Sequence, residues 1–145
     1  MYRSPPLAPL FDVMQDDPLQ QGRRAFARSG GLLPADGLAQ RVTSAHGQGI
    51  GMVARWIVER AVISLHWQGS YWIPAFQFCP ATWRPQAALA NLLAELPPPT
   101  DRWTWTEWFA EPNDVLRGER PADRWALAPE EVRQAARLLR FVRNG

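Results

Sequence analysis

Residues 31–78, GLLPADGLAQRVTSAHGQGIGMVARWIVERAVISLHWQGSYWIPAFQF, decide the fold because the spacing of their apolar side chains changes part-way along the stretch. After Pro34, apolar residues recur three and four positions apart, as on one face of a helix: Ala35, Leu38, Ala39 and Val42. A glycine-containing break at residues 46–49 separates this helix from a second one, which runs from Ile50 to about Arg60. Two short helices joined by such a turn predict a helix-turn-helix.

The apolar period shortens to two residues after the second helix, which indicates β-strands. The first predicted strand contains Ile63, Leu65 and Trp67, which alternate with polar residues. A turn at residues 68–70 leads to a second strand, from Tyr71 to Phe78. Because Pro74 has no N–H, we expect this strand to lie at an edge of the sheet or to break at the proline. A helix pair followed by a hairpin is the element order of a winged helix.

The predicted fold class is mainly α with a small β-hairpin (α+β), in three consecutive parts. The first part, residues 1–30, consists of an N-terminal arm over residues 1–16 and a helix from Pro18 to about Arg28. Residues 31–80 are the winged-helix-like helix-turn-helix lobe. Residues 81–145 are a small helical lobe, with helices predicted over residues 85–96, 105–110 and 129–142 and a turn over residues 121–126.

Composition places this chain among globular proteins. Its 145 residues are 46% hydrophobic and include eight Trp, enough to bury a core without a metal or a disulfide. All 16 basic residues are Arg and the net charge is only +2, so arginine abundance reflects codon usage as readily as nucleic-acid binding. The single cysteine, Cys79, excludes an internal disulfide. No signal-peptide or membrane-spanning pattern occurs, so we expect a cytoplasmic protein that does not enter a membrane.

The sequence does not predict an enzyme, and it indicates no metal or cofactor. His46 lies in a predicted turn and His66 in a predicted strand, without the spacing of a metal site. The apolar neighbours of Cys79 favour packing over nucleophilic chemistry. Three carboxylates close in sequence are flanked by arginines, which favours surface ion pairs: Glu107, Glu111 and Asp114. The GQGIG stretch at residues 47–51 lacks the Lys and Ser/Thr of a phosphate-binding loop.

DNA binding is the first function that the helix pair suggests. In a helix-turn-helix the second helix enters the major groove, while its flanks hold phosphates. The predicted DNA-binding residues are Arg41, Gln48, Arg55 and Arg60. The second helix is expected to bury one apolar row, Ile50, Val53, Ala54, Ile57 and Ala61, and to turn Met52, Arg55, Trp56 and Glu59 towards the other side. Packing or dimerisation without DNA binding is the alternative, because Trp56 and Glu59 do not suit a groove.

Two motifs resemble a known family. The run YWIPAFQF at residues 71–78 and the pattern WFxxPNxxLxGxxPxD at residues 108–123 resemble the antitoxin Xre/MbcA/ParS family, and the likeness extends over residues 31 to 145. The motif residues are Pro74, Phe76, Gln77, Phe78, Trp108, Pro112, Asn113, Leu116, Gly118, Pro121 and Asp123. The resemblance implies a helical DNA-binding region followed by a toxin-binding domain that clasps a RES-type toxin, an enzyme that consumes NAD.

The second motif is predicted to be a scaffold. Its large apolar residues, with Trp125, are expected to form the core that joins three short helices: Trp108, Phe109, Leu116 and Trp125. Proline and glycine set the corners, and Asn113 and Asp123 are expected to cap backbone N–H groups.

The arginines of the helical lobe are the predicted partner-binding residues: Arg117, Arg120, Arg124, Arg137, Arg140 and Arg143. A solvated basic face remains the alternative for the three on the last helix. The first functional hypothesis is a homodimeric antitoxin that binds its cognate toxin and its operator DNA. The second is an interaction module without DNA binding, such as an adaptor or a phage-derived inhibitor.

Overall fold

The computed structural model describes residues 17–98 and 104–144, so the predicted N-terminal arm lies outside the described residues. The helices of this part of the chain are α1 (Pro18–Ala25), α2 (Ala35–His46), α3 (Gly49–Val58), α4 (Ala87–Glu95), α5 (Thr104–Ala110), α6 (Pro121–Trp125) and α7 (Pro129–Asn144). Its strands are β1 (Leu32–Pro34), β2 (Leu65–Trp67) and β3 (Ser70–Pro74). The prediction of a mainly helical α+β fold is confirmed.

The sheet has three antiparallel strands in the order β1-β3-β2. The prediction missed β1, which pairs Leu32 with Pro74 and so places β3 in the centre of the sheet rather than at an edge. Of the two outcomes expected at Pro74, an edge strand or a break, the break is observed: β3 ends at Pro74 and residues 75–77 form a 3-10 turn, so the prediction that the second strand reaches Phe78 was wrong. A proline cannot donate to a strand ladder, which is why the strand stops there. With β1, the order becomes helix, strand, helix, helix, hairpin, as in a winged helix.

The first helix begins and ends near the predicted residues. The Asp17 side chain caps it by accepting a hydrogen bond from the backbone N–H of Gln20 at 2.8 Å. The α-helix stops at Ala25, earlier than the predicted end at Arg28, and residues 27–29 continue as a 3-10 turn. Gly30 then adopts a φ of 113°, which only glycine takes readily, and the chain turns into β1.

Helices α2 and α3 cross at very short range around Gly49. The backbone N–H of Gly49 donates to the Thr43 hydroxyl at 3.0 Å, and a Cβ built on Gly49 would overlap the carbonyl oxygen of Ala39. Glycine is therefore the residue that lets the two helices approach, and this contact fixes the geometry of the helix pair.

The helical lobe is built on α7. This helix packs against α4 and α6, and α6 packs in turn against α5. The predicted cap at Asn113 is confirmed, since its side chain accepts from the N–H of Val115 at 2.9 Å. The predicted cap at Asp123 was wrong: this residue lies inside α6, with Oδ1 buried and unbonded and Oδ2 4.0 Å from the guanidinium of Arg120. An ion pair within one helical turn replaces the cap.

One hydrophobic cluster runs through the described parts of both lobes, from α1 to α7. At their boundary the Phe76 and Phe109 rings lie 5.1 Å apart. The Thr106 hydroxyl donates to the carbonyl oxygen of Ser64 at 2.7 Å, and Gln86 Nε2 donates to the carbonyl oxygen of Phe76 at 3.2 Å. The lobes therefore pack as one body around shared aromatic side chains.

Candidate DNA-binding and partner-binding surfaces

The predicted DNA-binding residues are all exposed, and they lie around the helix pair. Arg41 is on α2, Gln48 precedes α3 in a left-handed conformation, Arg55 is on α3, and Arg60 follows α3 with a φ of 56°. Arg41 has a partner within the protein, because its guanidinium stacks over the Trp83 ring, 5.0 Å from the ring centroid. The structure thus brings three of the four residues to α3 and its ends, and holds Arg41 against a loop of the following segment.

The orientation predicted for α3 was wrong in part. Val53 is buried as expected, but Ile50 is 78% exposed, and Trp56, expected on the outer side, packs against the Phe78 ring at 5.7 Å. Met52 is also half-buried. The stripe that faces the core is thus centred closer to Trp56 than predicted, because the β3–α4 segment covers that side of the helix.

The outer face of α3 carries an apolar row formed by Ile50, Ala54 and Val58. Val58 is 80% exposed. A groove of about 400 Å³ runs beside this row, between α3 and α2, and Tyr71 lines one part of it. Exposed apolar surface of this kind is typical of contact with another protein.

The predicted partner-binding arginines fall into two groups, and most bind within the protein. In the first group, Arg124 donates a hydrogen bond to Glu131 at 3.0 Å and lies 3.6 Å from the Glu119 carboxylate. The Arg117 guanidinium lies 3.4 Å from the same Glu131 carboxylate. Arg120 donates to the carbonyl oxygen of Ala110 at 2.8 Å. The hydrogen bond from Arg124 holds the pKa of Glu131 below its ordinary value and raises the pKa of Arg124. These side chains tie α6 and its flanking turns to the start of α7.

The second group ties α7 to α4. Arg137 donates two hydrogen bonds to the Glu95 carboxylate, at 2.9 and 3.4 Å. The Arg133 guanidinium lies 3.5 Å from the same carboxylate. The hydrogen bond from Arg137 lowers the pKa of Glu95, and the same hydrogen bond raises the pKa of Arg137. Arg140 donates to the carbonyl oxygen of Ala94 at 2.9 Å. Arg143 lines a polar hollow of about 290 Å³ between α4, α5 and α7.

The last turns of α7 expose three apolar side chains. Leu138 is 45% exposed, Phe141 74% and Val142 64%. They lie three and four positions apart, so they share one side of the helix. The apolar spacing predicts that Val142 continues the buried stripe of Val132, Ala135, Ala136 and Leu139, and this prediction was wrong. Sequence reasoning did not single out Leu138 and Phe141, and Phe141 lies on the side of the helix opposite Val132.

The YWIPAFQF stretch, residues 71–78, is largely packed inside the first lobe and contacts the second lobe through Phe76. Gln77 is fully buried, and its amide accepts from the N–H of Ile63 at 2.6 Å and donates to the carbonyl oxygens of Ile63 and Pro74, each at 3.0 Å. Phe76 and Phe78 are also buried.

The second motif forms the turns before α7. Leu116 and Pro121 are buried, and Trp108 is half-buried with its ring against that of Phe109. Gly118 has a φ of 83°, a value that glycine adopts more readily than other residues. Pro112 is exposed. Both motifs therefore have structural positions in which the side chains pack or turn the chain.

The described residues hold no group of three or more His, Cys, Asp and Glu side chains placed to bind a metal ion. His66 stacks on Tyr71 at 4.5 Å, and Cys79 is a half-buried free thiol. Glu107 and Glu111 line the polar hollow that Arg143 shares, and Asp114 starts a 3-10 turn. No described helix combines the length and the apolar character needed to cross a membrane.

Comparison of this chain with models of protein families, with curated proteins and with solved structures finds no match.

Proposed function

We propose that this protein is a cytoplasmic, homodimeric antitoxin or antitoxin-like regulator. In this proposal it neutralises a RES-type, NAD-consuming toxin by direct contact and binds the operator DNA of its own gene. The motif resemblance supplies the family, and the winged-helix order of the first lobe supports the DNA-binding part. A dimer suits operator binding because two helix-turn-helix units read two half-sites through a twofold axis.

The observation that carries the proposal is the exposed apolar end of α7, where Phe141 is 74% in solvent. Aromatic side chains that protrude from a rigid element are typical anchors of protein interfaces. The helix beneath them is held in place, because Glu95 of α4 binds Arg137 and Arg133. An inhibitor needs no chemistry of its own, so a fixed apolar projection that covers a toxin's catalytic cleft is sufficient.

The test is co-expression with the adjacent gene in a bacterial host. We expect the neighbouring product alone to stop growth and this protein to restore it. Phe141→Ala should weaken toxin binding by about 2 kcal/mol, or roughly 30-fold in Kd, as for an interface hot spot. Leu127→Ala is the matched control, because Leu127 is equally exposed, at 74%, but lies before α7. A neighbour that is harmless alone, or a Phe141→Ala protein that binds as tightly as the wild type, contradicts the proposal.

The second candidate function, an interaction module without DNA binding, is favoured by the outer face of α3. Ile50 and Val58 are apolar and exposed where a DNA-reading helix carries polar side chains, and Glu59 would approach phosphates. The row is symmetric about Ala54, so an antiparallel second copy would set Ile50 opposite Val58. Sedimentation of the wild-type and Ile50→Glu proteins, with DNA titration of the wild type, separates the candidates. A wild-type dimer that binds no DNA and dissociates in Ile50→Glu favours the interaction module, whereas wild-type binding to operator DNA contradicts it.

A further inference from the structure

Two arginines and one histidine gather around Trp83, beside the turn between α2 and α3. Arg41 stacks on the Trp83 ring from α2, and His46 ends the same helix. Arg84 follows Trp83 in the loop that leads to α4, and its Nε lies 3.4 Å from His46 Nε2. All three side chains are exposed. Arg84, which is 38 positions from His46 and 43 from Arg41, therefore joins the two α2 residues in one cluster.

Trp83 provides the platform of this cluster. It is half-buried, with its ring 6.2 Å from that of Phe78, so the core fixes its position. Its backbone has a φ of 54°, which is unfavourable for so large a side chain, and hydrogen bonds from the N–H groups of Thr82 and Trp83 to the carbonyl oxygen of Cys79 hold the loop in that conformation. The loop thus presents Trp83 to Arg41 in a defined geometry.

The donors of the cluster exceed its acceptors. His46 Nε2 hydrogen-bonds to the carbonyl oxygen of Thr82, and since a carbonyl oxygen only accepts, this nitrogen carries the proton. Arg84 Nε also lies 3.4 Å from this nitrogen, and because one nitrogen cannot donate to Thr82 and accept from Arg84 at once, the two partners compete for His46 Nε2. Within the described residues, neither Arg41 nor Arg84 forms an ion pair with a carboxylate.

We infer that Arg41, His46 and Arg84, arranged around Trp83, bind phosphate groups of a DNA backbone. Guanidinium groups donate to phosphate oxygens in pairs, and an arginine fixed on an aromatic ring loses little side-chain entropy on binding. The position also fits, because the cluster adjoins the turn before α3, and phosphate contacts flank the first residues of a groove-reading helix. This inference rests on the operator-binding part of the proposed function and identifies the residues that hold the backbone.

The test is the salt dependence of binding to a fluorescent duplex that carries the region upstream of the gene, measured by anisotropy from about 50 to about 300 mM NaCl. Each phosphate contact contributes about 0.9 to the slope of the logarithm of the association constant against the logarithm of the salt concentration. Arg41→Gln and Arg84→Gln should therefore each reduce the magnitude of this slope by about 1. Each substitution should also lower the affinity about eightfold at about 0.1 M salt. The double variant should lose about 2 from the slope.

Arg28→Gln is the matched control, because Arg28 is exposed on the turn at residues 27–29, which packs against α6. It should keep the wild-type slope. Thermal melting of each variant confirms that it is folded, and Trp83→Phe should retain more affinity than Trp83→Ala if the ring is the platform.

The outcomes separate the inference from the function on which it rests. A wild-type slope in both Arg41→Gln and Arg84→Gln, with intact DNA binding, overturns the phosphate site and leaves operator binding in place. No salt-dependent binding by the wild-type protein overturns operator binding and this site together, while toxin neutralisation is decided separately by co-expression.

Discussion

The Gly49→Ala substitution tests whether the crossing of α2 and α3 is as tight as the structure shows. A Cβ on Gly49 would overlap the Ala39 carbonyl oxygen and the Thr43 hydroxyl, and would lie 2.8 Å from the Thr43 nitrogen. Two of these atoms belong to the backbone of α2, so no side-chain rotation relieves the overlap. The helices must separate instead.

The magnitude follows from two opposing effects. Overpacking against a rigid neighbour costs about 1–3 kcal/mol, and loss of the hydrogen bond from Gly49 to Thr43 adds about 1 kcal/mol. The preference of a helix for Ala over Gly returns about 0.5–1 kcal/mol. We therefore expect the free energy of unfolding of Gly49→Ala to fall by about 1–3.5 kcal/mol.

Gly51→Ala is the matched control two residues further along α3. No atom lies within 4 Å of a Cβ at Gly51, and the residue is exposed. The same substitution should therefore stabilise the protein there, by about 0.5–1 kcal/mol.

The assay is urea unfolding followed by tryptophan fluorescence, with the two variants compared at equal m-value. The midpoint of Gly49→Ala should fall and that of Gly51→Ala should rise. If the two proteins unfold within about 1 kcal/mol of each other, α2 and α3 do not cross at the described distance, and the helix pair has another geometry.

Two further predictions concern the joints between elements. Gln77→Leu leaves the backbone N–H and the carbonyl oxygen of Ile63 buried without a hydrogen-bond partner, which costs about 1–3 kcal/mol for each group. The free energy of unfolding should therefore fall by about 3–5 kcal/mol in the same urea assay. Gln134 is exposed, so the control Gln134→Leu should change the free energy of unfolding by less than about 0.5 kcal/mol. The Arg137 hydrogen bond sets the folded-state pKa of Glu95 below its unfolded value, so this carboxylate stabilises the protein above the unfolded pKa, about 4.3, and loses that effect as the pH falls through the lowered value. In urea unfolding, the difference in stability between wild type and Glu95→Gln should accordingly be present at pH about 7 and shrink as the pH falls below the unfolded pKa; a difference that stays constant contradicts the assignment.

Local signals in the sequence predicted much of the fold. The Asp17-Pro18 pair marks the start of α1, and Pro129 marks the start of α7, because a cap residue and a first-turn proline act within their own helix. The strand β1 was missed because Leu32–Pro34 is too short to show alternation and is defined only by its pairing with β3. Long-range partners of this kind are absent from any local pattern.

The surfaces were harder to predict than the elements, for a related reason. Ile50 and Val142 have the spacing of core residues but are exposed, because periodicity cannot distinguish an apolar row that meets the core from one that meets solvent. The cluster around Trp83 was missed because Arg41 and Arg84 are 43 positions apart and meet only when the loop after β3 returns to α2.

The internal contacts of the arginines imply that the two proposed interactions differ in physical character. Arg137 and Arg140 hold α7 on α4, which leaves the exposed end of α7, the proposed partner surface, to apolar side chains such as Phe141. Contacts of that kind depend weakly on ionic strength, whereas contacts of Arg41 and Arg84 with phosphates weaken steeply as salt rises. Raising the salt from about 0.1 to about 0.5 M should therefore release DNA from a DNA–antitoxin–toxin complex while the toxin stays bound. Release of the toxin over the same range would instead place the arginines, and not Phe141, at the centre of the toxin interface.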